Sequence, residues 1–114
     1  MITLYGISNC DTMRKARRWL DEQGLEYHFH DYRKAGVPEA GLRQWVERLG
    51  WEALLNRRGM TWRKLPEERR RQMDETGALK LMAEQPAIIK RPVLERENTL
   101  LVGFEPQHWL EVLL

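Results

Sequence analysis

The sequence predicts one α/β domain with a mixed sheet, and three observations support this prediction. Strand, helix and strand patterns alternate in the first third, helical patterns fill the middle, and two strands and a helix follow. A length of 114 residues suits a single domain, residues 1–114, with its own core. A hydrophobic fraction of 42% is enough for that core and argues against a disordered chain.

Apolar patterning predicts a β-α-β unit at the start of the chain. Residues 2–5 are a short β-prone run, and a turn follows it. A helix begins at Asp11 and stops near Gly24, so Cys10 lies at the junction of loop and helix. Residues 25–32 alternate as a second strand, and a crossover of this length makes the two strands parallel.

A helical insertion is predicted over about residues 38–85, where apolar residues follow helical spacing from 38 to 50. Its remaining parts are short helices over 51–55, 66–73 and 77–84 and a basic loop over 56–59.

A β-hairpin and a final helix are predicted for the last third. The first strand run starts at 87–89 and continues through 90–94, the second covers 100–102, and Asn98 closes the turn between them. Residues 105–114 have helical spacing. The order β-α-β, helices, β-β-α is that of a thioredoxin-like fold with a helical insertion.

Charge and apolar patterning argue against several classes of partner. Nineteen basic and seventeen acidic residues leave a formal net charge of +2, which does not indicate nucleic acid. No apolar run approaches the ~18 residues of a membrane-spanning helix. The first residues read as a strand rather than a secretory signal. We therefore expect a cytoplasmic protein without a membrane partner.

Two further candidate sites have simpler interpretations. His28 and His30 would share one face of a strand, but no other ligand stands at a metal-binding spacing, so no metal is expected. Basic residues over 57–71 surround Trp62, as in a site for single-stranded nucleic acid. Acidic residues are mixed into that segment, which favours a solvated helical face.

Cys10, the one cysteine, is the candidate for chemistry. A thiol at a helix N-terminus meets unpaired N–H groups and the positive end of the helix dipole, and both favour the thiolate. Arg14 and Lys15 would add positive potential, whereas Asp11 opposes it. The alternative is a small, inert, buried residue.

With no second cysteine, any redox cycle must be monothiol, and the resolving thiol must come from glutathione or a partner protein. Arg91, before Pro92, would bind a carboxylate or stabilise the thiolate if it lies near Cys10. The residues alone leave this interpretation and a surface arginine equally open.

Three segments together, residues 2–12, 51–56 and 86–92, resemble one family. The sequence resembles the arsenate reductase-like ArsC/Spx family, closest to its YffB branch, over essentially the whole chain. The resemblance implies a thioredoxin-like mixed sheet with a helical insertion, a catalytic Cys10 and a cis Arg91–Pro92 bond beside it.

The chain also departs from the arsenate reductases that depend on glutathione and glutaredoxin. Those enzymes have a histidine where this chain has Gly6, and three arginines around the arsenate-bearing sulfur. Arg91 matches one arginine, while Asn56, next to Arg57, and Gly103 stand at the other two positions.

The expected function is that of a glutathione-dependent monothiol oxidoreductase, in which the Cys10 thiolate attacks an oxidised sulfur and glutathione resolves the intermediate. The N–H groups of Asp11 and Thr12 would cap the sulfur, and Arg91 would hold a glutathione carboxylate. The expected binding residues are Asn9, Asp11, Thr12, Arg14, Lys15, Arg91 and Pro92.

Two alternatives remain open. One is an arsenate reductase that works with glutathione or glutaredoxin. The other is a non-catalytic Spx-like adaptor that binds the α-subunit of RNA polymerase through Asn56, Arg57 and Arg58. Many Spx relatives switch through a Cys-x-x-Cys pair, and Met13 stands at its second position, so that switch cannot operate here.

Overall fold

A computed structural model describes all 114 residues, and the chain divides into two compact units. The sheet unit comprises Met1–Ala35 and Arg91–Leu114, and the helical unit comprises Gly36–Lys90. The expected helical insertion, about residues 38–85, lies inside the helical unit.

The sheet unit contains all four strands. They are β1 (Ile2–Gly6), β2 (Tyr27–Asp31), β3 (Val93–Arg96) and β4 (Thr99–Val102). The helices of the chain are α1 (Asp11–Glu22), α2 (Tyr32–Ala35), α3 (Glu39–Leu49), α4 (Trp51–Leu54), α5 (Met60–Arg63), α6 (Glu67–Arg71), α7 (Glu75–Glu84) and α8 (Pro106–Leu113). None of them is long and apolar enough to cross a membrane.

The strands lie in the order β2-β1-β3-β4. β1 is parallel to β2, with Leu4 opposite Phe29, and antiparallel to β3, with Tyr5 opposite Val93. β3 and β4 form an antiparallel hairpin. This mixed sheet and the β-α-β start confirm the predicted thioredoxin-like fold class.

The core of the sheet unit lies on one face of the sheet, against α1 and α8. Alternate residues of β1 face it, as the two-residue period of a strand requires. Trp109 is 1% exposed and donates from Nε1 to the carbonyl of Gly103 at 3.1 Å, so its one polar group is satisfied. The core consists of Ile2, Leu4, Met13, Ala16, Leu20, Leu94, Leu101, Trp109 and Leu113.

The helical unit has a core of its own, in which α3 and α7 bury their apolar faces. The run 87–89, predicted to begin a strand, is instead a 3-10 turn, Pro86–Ile88, and that prediction was wrong. The N–H of Ile89 closes the turn by donating to the carbonyl of Pro86 at 3.1 Å. Ile89 then makes only an isolated bridge with Leu55. The short helices α2 and α5 were not predicted, since a single turn shows too little of a helical period to be distinguished from a strand end or a loop.

Truncation of Trp109 should test the core of the sheet unit. Trp109→Ala removes a fully buried ring and should lower the free energy of unfolding by about 3–5 kcal/mol. Leu110→Ala is the matched control in the same helix, since Leu110 is 40% exposed, and should cost about 0.5 kcal/mol or less. Urea unfolding of both variants checks this, and similar losses would contradict the assigned packing.

Candidate active site

Cys10 is the N-cap residue of α1, at the end of the loop that leaves β1. Its backbone is extended, with φ −153° and ψ 130°, and its carbonyl accepts the first helical hydrogen bond, from the N–H of Arg14 at 3.0 Å. The N–H of Cys10 donates to the carbonyl of Ser8 at 3.1 Å, which fixes the loop. The side chain is partly buried, so the sulfur remains within reach of a ligand.

The surroundings of Cys10 lower the pKa of its thiol. Burial acts in the opposite direction and is the largest single influence, because it disfavours the charged form. Three groups act in favour of the charged form and together outweigh burial. The backbone N–H groups of Met13 and Thr12 donate hydrogen bonds, and Arg91 contributes both a hydrogen bond and its positive charge. The result favours the thiolate, which is the nucleophilic form.

Strand pairing explains how Arg91 reaches Cys10. β3 begins at Val93, opposite Tyr5 at the end of β1, so the residues just before β3 lie beside the loop that follows β1. The Arg91–Pro92 bond is cis, as the resemblance implied. The N–H of Gly103 donates to the carbonyl of Pro92 at 2.8 Å and holds this segment against the end of β4.

Arg14 and Lys15 are not among the groups that act on the thiol, although they are closer to it in sequence. Arg14 instead pairs with Asp11, one turn away on the exposed face of α1. Lys15 and Asn9 are exposed. The N–H groups that lower the pKa of Cys10 are those of Thr12 and Met13. The N–H of Asp11, which was expected to cap the sulfur, is not among them.

The N–H of Met13 could have been identified from the sequence. An N-cap side chain accepts from the second and third residues of its helix. With Cys10 as N-cap and a helix from Asp11, those residues are Thr12 and Met13. The Cys10 side chain accepts no regular capping hydrogen bond, and the effect of these two N–H groups is to lower the pKa of the thiol.

A cluster of polar aromatic side chains lies on the sheet face opposite α1. The Tyr5 hydroxyl donates to Glu95 Oε1 at 2.7 Å, and the Tyr5 ring lies 5.1 Å from that of His30 and 6.4 Å from that of Tyr32. Burial, and then the hydrogen bond to Glu95, raise the pKa of Tyr5. Burial is also the main reason that the pKa of Tyr32 is raised, and Arg91 opposes it. Both phenols therefore stay neutral at physiological pH. No pattern in the sequence indicates this cluster.

The expected partner surface lies in the helical unit. Asn56 Oδ1 accepts from the backbone N–H of Arg58 at 3.1 Å, which closes a turn. The guanidinium of Arg57 lies 5.5 Å from the Trp51 ring and 5.9 Å from the Trp62 ring, and it pairs with Glu52 at 3.3 Å.

No group of three or more His, Cys, Asp or Glu side chains is placed to hold a metal ion.

Comparison with known proteins identifies the family. The model of the ArsC family matches residues 5–112. The chain belongs to the ArsC family. An uncharacterized protein of Haemophilus influenzae is 42% identical to it over 109 residues, 96% of each chain.

Solved structures agree with this assignment. The protein YFFB is 48% identical in sequence to this chain, and its structure matches over 100% of both chains with a TM-score of 0.94. An arsenate reductase (ArsC) related protein from Brucella melitensis is 49% identical in sequence to this chain and has a TM-score of 0.81. The match covers 98% of this ArsC-family chain and 93% of the Brucella chain.

A regulator is also similar in sequence. The global transcriptional regulator Spx of Enterococcus faecalis is 28% identical over 109 residues, which are 91% of this chain and 80% of the regulator. The chain is thus arsenate reductase-like and related to the Spx regulators.

Two glycines stand at positions where the resemblance leads one to expect larger residues. A Cβ atom at Gly6 would lie 2.4 Å from Sδ of the buried Met13, so a larger residue there would have to displace that side chain. Gly103 has φ +82°, in the left-handed region that favours glycine over arginine. Arg91 is therefore the cation that this site supplies to the sulfur.

Replacing Arg91 should test its effect on the thiol. Arg91→Met keeps the length of the side chain but removes its charge and its hydrogen bond, so the pKa of Cys10 should rise and the midpoint of its alkylation should move to higher pH. Arg14→Met is the matched control, because Arg14 pairs with Asp11, and should leave this pKa unchanged. The rate of alkylation of the single thiol against pH measures both. Equal midpoints for the two variants would rule out the assigned role of Arg91.

The free energy of unfolding should depend on the ionisation of Cys10. The pKa of Cys10 is lower in the folded protein than the value of about 8.5 in the unfolded chain. The thiolate therefore stabilises the folded protein fully above about pH 8.5, and this stabilisation is lost as the pH falls through the pKa of the folded state. The stability of the wild type relative to Cys10→Ser should therefore rise as pH increases from acidic values to the unfolded value of about 8.5. Urea unfolding across this range measures the difference, and a constant difference would contradict the lowered pKa.

Proposed function

We propose that this ArsC-family protein is a glutathione-dependent monothiol oxidoreductase that uses the Cys10 thiolate as its nucleophile. The observation that carries the proposal is a single thiol whose pKa is lowered by helix N–H groups and by Arg91. Membership of a family with arsenate reductase-like relatives supports thiol chemistry. Because the chain has no second cysteine, the resolving thiol must come from another molecule.

The reaction consists of two thiol–disulfide exchanges. The Cys10 thiolate attacks the glutathionyl sulfur of a mixed disulfide, forms a Cys10–glutathione disulfide and releases the substrate thiolate, which takes a proton from water. A glutathione thiolate then attacks the glutathionyl sulfur of that disulfide. Oxidised glutathione leaves, and Cys10 is again a thiolate. The net reaction reduces one mixed disulfide and oxidises one glutathione, with no other electron donor.

The residues at the site have separate roles in this scheme. The N–H groups of Thr12 and Met13 stabilise Cys10 as the attacking group and again as the leaving group. Arg91 stabilises the same charge and binds a carboxylate of glutathione, for which a guanidinium offers two parallel N–H donors. We place the reaction in the cytoplasm, where glutathione keeps thiols reduced. Glutaredoxin is a second candidate donor of the resolving thiol.

A coupled assay should test the reaction directly. The protein is given a glutathione mixed disulfide, reduced glutathione, glutathione reductase and NADPH, and NADPH oxidation is followed. Cys10→Ser should reduce the rate to that of the assay without protein, because the nucleophile is lost. Arg91→Met should raise the KM for the glutathione-containing substrate by about tenfold, because one charged hydrogen bond is lost. Arg14→Met is the matched control and should behave as wild type.

Two results of this assay would count against the proposal. Equal rates for wild type and Cys10→Ser would exclude Cys10 as the nucleophile. NADPH oxidation that starts only when arsenate is added would instead support an arsenate reductase.

A regulatory adaptor is the second candidate, and two observations favour it. The chain is related to the global transcriptional regulators Spx. In the helical unit, the exposed Arg57 lies 5.5 Å and 5.9 Å from the rings of two tryptophans. Arginine and tryptophan are the residues that most often carry binding energy at protein interfaces. In this case Cys10→Ser protein should still bind the purified α-subunit of RNA polymerase, and Arg57→Ala should weaken that binding. No binding by any form would remove this candidate.

A further inference from the structure

Gly6, the last residue of β1, lies directly against the side chain of Met13 in the first turn of α1. A Cβ atom at Gly6 would lie 2.4 Å from Met13 Sδ and 2.7 Å from Met13 Cε, closer than such atoms approach in proteins. The φ angle of Gly6 is not positive, so its backbone suits any residue. Any larger residue at this position must therefore displace the Met13 thioether, although the backbone conformation would accept it.

Met13 carries its thioether in the core, so this flexible group can move only if neighbouring core side chains give way. It is 0% exposed and belongs to the core cluster of the sheet unit. The two preceding residues of α1, Asp11 and Thr12, are exposed. Met13 is thus the first side chain of the helix that is anchored in the core.

Met13 is the third residue of the helix that Cys10 caps, so its N–H faces the N-cap side chain, and it is one of the groups that lower the pKa of the Cys10 thiol. The Met13 side chain therefore joins the first turn of α1 to the end of β1, while its N–H faces the thiolate. Because core side chains are close-packed, displacing the Met13 thioether strains the turn that carries this N–H group.

We propose that Gly6 and Met13 form a positioning pair that holds the first turn of α1 where its N–H groups stabilise the Cys10 thiolate. The inference rests on the proposed function, because it concerns the same sulfur. Neither residue contacts substrate through its side chain. Each acts only by fixing the direction of the N–H donors.

The test is the pH dependence of Cys10 alkylation in Gly6→Ala. The added methyl group displaces the buried thioether, so the first turn of α1 should shift and the midpoint of alkylation should rise by about half a pH unit or more. Gly6→Ala combined with Met13→Val removes Sδ and Cε, which makes room for the methyl group. This double variant should return the midpoint to the wild-type value.

Leu20→Val controls for lost stability. Leu20 is 0% exposed in the same helix and the same core cluster, but lies several turns away from Cys10. Its truncation should lower the urea midpoint of unfolding and leave the alkylation midpoint unchanged. If Gly6→Ala does not fold, Met13→Leu replaces it, since leucine keeps the volume of methionine without its reach.

The outcomes separate this inference from the proposed function. A wild-type alkylation midpoint in the ordinary thiol range overturns both. A lowered wild-type midpoint that stays unchanged in Gly6→Ala, or in Met13→Leu where that variant is used, overturns the positioning pair alone. A raised midpoint in Gly6→Ala that the double variant fails to restore also overturns it, because the shift would then not arise from the Gly6–Met13 contact.

Discussion

The antiparallel pairing of β1 with β3 is the constraint on which the candidate site depends. The loop after β1 leads to Cys10, and the segment before β3 carries Arg91, so the pair Tyr5–Val93 brings together two groups from opposite ends of the chain. The hydrogen bond from Gly103 to Pro92 supports the same segment from β4. A change that disturbed this pairing would separate the thiol from its cation even if both residues remained.

The charge state of Cys10 results from opposing influences. Burial alone would keep the thiol protonated, whereas two backbone N–H groups and one guanidinium favour the thiolate and prevail. Arg14 has the right charge and lies near Cys10 in sequence, yet it pairs with Asp11 on the exposed face of α1. A surface pair of this kind contributes little to stability, and it leaves Arg91 as the group that acts on the sulfur.

Family membership and activity are separate matters for this chain. The ArsC assignment rests on nearly the whole sequence and on a shared fold. Activity depends on a few side chains placed on that fold. Of these the chain keeps a cysteine at the N-terminus of α1 and an arginine before a cis proline. At Gly6 and Gly103 the resemblance leads one to expect larger side chains. A larger residue at position 6 would have to displace Met13, and the positive φ of Gly103 favours glycine.

The sequence by itself determined the β-α-β start, its parallel strands and the place of Cys10 at a helix N-terminus, because periodicity and capping signals act over a few residues. The tertiary structure decided where β3 begins, since the turn at Pro86–Ile88 interrupts an apolar run that reads as a strand. It also decided which cation reaches the thiol. The residues alone left Arg91 equally open to a surface role, and they also offered Arg14 and Lys15 as sources of positive potential. The physical reason is that pairing between strands distant in sequence sets these contacts, and no local pattern encodes such pairing.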